Sequence, residues 1–136
     1  MAEITVYEDR WGKIVDHPTD GVLEIRWIDA TAGMTSIDFK QWLTRFATDI
    51  ARLGRKLALV DAVQFRIAPD NMDEAWRDAN IIPRYNEAGV LRFAFVMPSK
   101  MPLIDTPPAP EGPAAFPTAY FGTRADAFTW LAGPAD

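Results

Sequence analysis

Residues 57–66, Leu-Ala-Leu-Val-Asp-Ala-Val-Gln-Phe-Arg, constrain this chain more than any other stretch. Four apolar residues end in an acid, and Pro69, Asp70 and Asn71 then read as the opening of a helix. An apolar run of this length, bounded by turn signals, predicts an inner strand of an α/β sheet. Its carboxyl end, at Asp61, lies on the edge where ligands of open α/β sheets collect.

The surrounding pattern supplies the rest of the sheet. Ile4, Val6 and residues 11–15 read as short strands, and residues 11–28 as a hairpin. Its turn is Asp16-His17-Pro18-Thr19-Asp20-Gly21, a run of turn formers. In the second arm Val22, Leu23, Ile25, Trp27 and Ile28 are apolar, with Glu24 and Arg26 on the alternate face. Ser36 is placed to cap a helix in which Phe39, Trp42, Leu43, Phe46, Ile50 and Leu53 form one apolar stripe. Asp38 at its start and Arg52, Arg55 and Lys56 at its end suit the helix dipole, and Gly54 stops it.

A second helix is predicted from Asp70 or Asn71, carrying Met72, Ala75, Trp76 and Ala79 on one face. Pro83 interrupts it, and a short helix closed by Gly89 follows. Residues 90–97 are apolar on both sides except at Arg92, the mark of a central strand. Seven of the twenty residues 98–117 are proline, which predicts a long extended loop without ladder donors. Ala119, Tyr120 and Phe121 form a short strand. Thr123 caps a last helix with Asp126 three residues on, Ala127, Phe128, Trp130 and Leu131 on its apolar face, and Gly133-Pro134 as its end. The prediction is a single α/β domain spanning all 136 residues. Its sheet is mixed, mainly parallel, with about four to five strands and about three to four helices.

Composition narrows function by exclusion. The chain is 49% apolar and 24% charged, which is globular. A net charge of −5 lacks the basic footprint of a nucleic-acid binder and does not favour anionic lipid by charge. With no cysteine there is no disulfide, thiol nucleophile or zinc-thiolate site. No apolar run approaches the ~18 residues of a membrane span. The opening Met-Ala-Glu-Ile-Thr-Val has no signal-peptide pattern, so a cytoplasmic protein without integral membrane association is expected.

The single histidine, His17, lies in the turn between Asp16 and Pro18 and reads as a surface residue. A general base would need an orienting partner and a nucleophile. One histidine leaves a metal site to carboxylates, and no calcium-loop spacing or Gly-rich phosphate loop occurs. No catalytic set, metal or cofactor is therefore expected. Asp61 reads as a ligand anchor or as an acid that accepts the amides of its own turn. Arg66 reads as an anion contact or as half of an exposed ion pair. Trp42, Phe46, Trp76, Phe93, Phe95, Phe128 and Trp130 fall on inward faces, as a core or as the walls of an apolar pocket. Met101, Leu103 and Ile104 stand in the Pro-rich loop and need cover from the core, another subunit or a ligand.

Three stretches carry a family likeness: Leu59-Val60-Asp61-Ala62-Val63-Gln64-Phe65, Arg92-Phe93-Ala94-Phe95-Val96-Met97-Pro98, and residues 120–131, a strand running into a helix that ends in Trp130-Leu131. With the element order they resemble the SpoIIAA-like branch of the STAS fold, over roughly residues 22–132. That fold is shared distantly with CRAL-TRIO lipid-transfer domains. The resemblance implies a non-enzymatic module that binds a protein partner or itself. The alternative it implies is a carrier of a small apolar ligand or lipid, with the Pro-rich loop as lid. Anti-sigma-factor antagonists of this type carry a phosphorylatable hydroxyl after the acid-ended strand, whereas Arg66-Ile67-Ala68-Pro69-Asp70-Asn71 has none. The phosphorylation switch is not implied. The candidate partner- or ligand-binding residues are Asp61, Phe65, Arg66, Trp76, Met101, Leu103, Ile104 and Tyr120.

Overall fold

The computed structural model describes residues 3–98, 101–104 and 106–133. Ser99, Lys100 and Asp105 of the Pro-rich stretch, and Pro134 of the expected helix stop, lie outside the described residues. Strands β1 (Ile4–Asp9), β2 (Gly12–His17) and β3 (Val22–Trp27) lead into helix α1 (Ser36–Leu53). Then come β4 (Leu57–Asp61), α2 (Glu74–Asn80), α3 (Ile82–Ala88), β5 (Arg92–Val96), β6 (Ala109–Pro110), β7 (Pro117–Phe121) and α4 (Arg124–Leu131). They form one mixed sheet in the order β1-β2-β3-β4-β5-β7-β6. The predicted α/β class and helix number stand, but the sheet has seven strands rather than four to five. It is not mainly parallel: β3-β4, β4-β5 and β5-β7 are parallel, and β1-β2, β2-β3 and β6-β7 antiparallel. The excess comes from the edges. The Ile4 and Val6 candidate extends to a full six-residue edge strand, β1, and β6 is two residues from the Pro-rich stretch that was expected to be loop.

Local chemistry moves several boundaries. Thr35, not Ser36, is the cap of α1: its hydroxyl accepts from the Asp38 amide at 3.1 Å while Asp38 accepts from the Thr35 amide at 3.1 Å. That reciprocal pair satisfies two orphan donors at once. Gly54 ends α1 at φ +67°, a conformation that disfavours a Cβ. The expected helix start at residues 70–71 is only a 3-10 turn, and α2 begins after Asp73, whose carboxylate accepts the Trp76 amide at 3.0 Å. Pro83 falls in the first turn of α3, where its missing N–H is no loss.

Side chains alternate across the sheet, so β3, β4 and β5 bury both faces. One face packs Leu23, Ile25, Trp27, Ala58, Val60 and Phe93 against α1 and α3. The other packs Val22, Leu59, Ala94 and Val96 against Ala127 and Leu131 of α4. Of the aromatic residues predicted inward, Trp42, Phe46 and Phe93 are buried, and Trp76, Phe95, Phe128 and Trp130 are half-buried. The C-terminal half of the Pro-rich stretch is docked rather than loose. Asn86 donates to the Pro113 carbonyl at 2.9 Å and accepts from the Ala115 amide at 2.8 Å, while Ala114 and Phe116 are buried.

Candidate functional site

Two places bring chemistry-bearing residues together: the carboxyl edge of the parallel strands, and the centre of the α4 face. At the carboxyl edge, Asp61 ends β4. Its Oδ1 accepts from the Val63 amide at 3.2 Å, the local turn that its short side chain favours. Its Oδ2 accepts from Arg124 Nη1 at 3.3 Å. Among the described residues Arg66 has no acid as partner, against one of the two expectations. Its guanidinium donates to the Val63 carbonyl at 2.9 Å, and its amide donates to Thr31 Oγ1 at 2.8 Å. The loop geometry spends both groups internally, so Asp61 and Arg66 do not converge on a cleft.

The apolar candidates divide. Phe65 is half-buried, stacked on Trp27 with ring centres 4.8 Å apart, and is core in character. Met101 and Ile104 are half-buried, Ile104 lying against Gly122, while Leu103 is 43% exposed. Ile28 and Val63 on neighbouring loops of the same edge are also exposed. Two candidates lie elsewhere. Trp76 sits on α2 with the Lys40 ammonium 5.5 Å from its ring centre. Tyr120 belongs to the sheet interior, stacked on Phe95 at 5.3 Å, with its hydroxyl donating to the Glu111 carboxylate. Burial and that bond push its phenol pKa well up.

The cluster on the α4 face was not foreseen. Glu24 in mid-β3 is fully buried. Its carboxylate lies 2.8 Å from His17 Nε2, accepts from Arg26 Nε at 3.1 Å and Nη2 at 2.9 Å, and accepts from both terminal nitrogens of Arg124. Burial alone would raise the Glu24 pKa, but the bonds from Arg26, Arg124 and His17 outweigh it and hold the value at about 2. His17 is therefore not a surface residue: it is the last residue of β2, buried, with Phe128 edge-on at 5.1 Å. The sequence signal was an acid at the centre of a strand that must be covered on both faces. A carboxylate whose lone pairs are all engaged is neither a general base nor a nucleophile near neutral pH. The cluster joins β2, β3, β4 and α4 across the sheet.

Three surface cavities accompany these features. One of about 430 Å³ lies at the amino edge beside Arg55, Lys56 and Arg92. Arg55 is held by Asp16 at 2.7 Å, Lys56 by the Ala88 carbonyl at 2.7 Å and Arg92 by the Gly133 carbonyl at 2.7 Å. The others, about 580 and 260 Å³, flank the outer side of α1. None of the three is lined by Met101, Leu103 or Ile104, so they lend no support to an apolar ligand under the Pro-rich loop. Among the described residues, no group of three or more His, Asp or Glu is placed to hold a metal ion, and no helix is long and apolar enough to cross a membrane. In comparisons with known proteins the chain matches no family model, no curated protein and no solved structure.

Proposed function

We propose that the protein is a non-enzymatic, STAS-like interaction module whose contact surface is the carboxyl edge of the sheet. The observation that carries this reading is the state of that edge. Asp61 and Arg66 are engaged in internal bonds, while Ile28, Val63 and Leu103 remain exposed on the loops of that edge and Met101 and Ile104 are half-buried. Apolar side chains left exposed on loops above a rigid sheet favour contact with another protein surface over turnover of a small polar substrate. The STAS-like part rests on the three sequence motifs and on an element order of hairpin, helix, strand, helices, strand, strap, strand and helix. The partner is a second copy of the chain or another protein.

Native mass spectrometry and cross-linking at micromolar concentration test this directly. A dimer or stable complex with cross-links on the loops after β3, β4 and β5, lost in a Val63→Glu, Leu103→Glu double variant, is the expected result. A monomer that retains no partner from its own host extract overturns the reading.

A further inference from the structure

We infer that the groove between β1 and α1 is a binding site for a guanidinium group, occupied at rest by the chain's own Arg45. This does not depend on the carboxyl-edge reading. The two cavities of about 580 and 260 Å³ on this side share Gln41 and Arg45, so the Arg45 side chain is part of the wall between them. Arg45 lies flat against the Tyr7 ring, its guanidinium carbon 3.8 Å from the ring centre, a favourable place for a cation.

The ring is held for that role. Tyr7 donates its hydroxyl to Asp9 Oδ2 at 2.8 Å, and the same oxygen accepts Trp42 Nε1 at 3.1 Å. Asp9 Oδ1 accepts the Trp11 amide at 2.8 Å. One carboxylate thus fixes the aromatic wall.

A second, independent observation points to a ligand. Asp49 lines the larger cavity, its side chain is only 6% exposed, and among the described residues nothing donates a hydrogen bond to its Oδ2. Arg45 Nε stands 3.7 Å from that oxygen, beyond hydrogen-bond range, while Arg52 occupies Oδ1 at 3.1 Å. A buried carboxylate oxygen without a donor is a standing demand for one. Arg45 attracts it electrostatically but, tethered one turn away on the same helix, does not reach it. Its side chain is 46% exposed, so displacement into solvent uncovers the ring without disturbing the core. A guanidinium arriving from outside would lie on Tyr7 and donate to Asp49 Oδ2, satisfying both walls at once. Arginine side chains of a peptide and small guanidino compounds share this chemistry.

The experiment is a titration with arginine amide at constant ionic strength, followed by the indole N–H resonances of Trp11 and Trp42. Arg45 acts as an intramolecular competitor at an effective concentration in the millimolar range, so Arg45→Ala should tighten binding by about tenfold. In that background Asp49→Asn, and separately Tyr7→Leu, should abolish saturable binding. Lysine amide, which lacks the planar fork, should bind more weakly. Two results overturn the inference: a folded Arg45→Ala protein with no saturable shift, or binding unchanged by Asp49→Asn. The Asn variant keeps the shape of the site, which guards against a loss caused by misfolding.

Discussion

Under α1 and α3 the sheet presents Trp27, Phe93 and Val60, packed on Phe46, Trp42 and Tyr85. Under α4 it presents Val22, Leu59, Ala94 and Val96, and between them the charged set of Glu24, His17, Arg26 and Arg124. The first face is held by buried area, which is nondirectional and indifferent to pH. The second has a short helix and small side chains, and is held in large part by hydrogen bonds that converge on one carboxylate. Such an arrangement fixes the position of α4 but makes it sensitive to the loss of any single member.

The largest effects separate the two faces by pH. Phe46→Ala should cost about 3–5 kcal/mol in urea unfolding, and by the same amount at pH 7 and pH 3. Glu24→Gln should cost about 3 kcal/mol at pH 7, the low end for a broken buried pair, because Arg26 and Arg124 are partly exposed and can rehydrate. The Glu24 pKa is lowered by folding, from 4.5 to about 2, so its stabilisation is present above pH 4.5 and is lost as pH falls towards 2. Integrated, that shift is also about 3 kcal/mol. The wild-type and Glu24→Gln stabilities should therefore converge in acid, while the Phe46→Ala gap stays open. Parallel curves for Glu24→Gln and wild type across that range would show that the charge is not what holds the α4 face.

A smaller effect tests the attachment of α4 itself. Arg124 supplies two bonds to Glu24 and one to Asp61 from the first residue of the helix. Arg124→Met keeps the stem and removes the bonds, at a cost of about 2 kcal/mol. Hydrogen exchange should rise in α4 and leave α1 unchanged. Uniform acceleration over the whole chain would mean that the two faces unfold as one unit.

The same contrast explains what could be read from the sequence. The apolar face was legible because its elements have strong periods: the stripe from Phe39 to Leu53 and the runs 57–61 and 90–97 give α1, β4 and, shorter by a few residues, β5. Capping chemistry placed the ends of α1 and α4 to within a residue, and Thr35 displaced Ser36 only because its backbone is extended and its hydroxyl reaches Asp38. The charged face was not legible. His17 sits beside turn formers, and nothing local shows that the strand runs on through it to meet Glu24 across the hairpin. Arg124 lies a hundred residues from Glu24 in the chain, so their contact exists only once the sheet is assembled. The candidate site divided on the same line. Asp61 stands at a strand end with its own turn, as its position suggested, but the distant Arg124 that also reaches it was not legible, and Arg66 donates to the Val63 carbonyl.

The Pro-rich strap adds an intermediate case: the Asn86 side chain bonds it to α3 twice, and Phe116 packs edge-on against Tyr85 of the same helix. Asn86→Ala removes two exposed hydrogen bonds to backbone and should cost about 1–2 kcal/mol. Limited proteolysis should then cut within residues 106–115 before any site on the sheet. Resistance equal to wild type would mean that buried Phe116 and Ala114 suffice to hold the strap.

The smallest expected effect is the sharpest probe, because the same substitution can be made on both faces. Thr35 caps α1 and Thr123 caps α4, each accepting the amide three residues on at 3.1 Å. Thr→Ala at either cap removes about 1 kcal/mol of local stability. α1 has eighteen residues and an apolar stripe buried along its length, so its first turn stays docked, and Thr35→Ala should appear only as a small shift of the global midpoint. α4 has eight residues and buries Ala127 and Leu131 alone. Its first turn carries Arg124, so fraying there also pulls on the Glu24 cluster. Thr123→Ala should therefore raise hydrogen exchange in α4 and shift the onset of acid unfolding to higher pH, whereas Thr35→Ala leaves that onset in place. Equal acid onsets for the two variants would separate the cap of α4 from the charge cluster and leave Arg124 anchored by Glu24 and Asp61 alone.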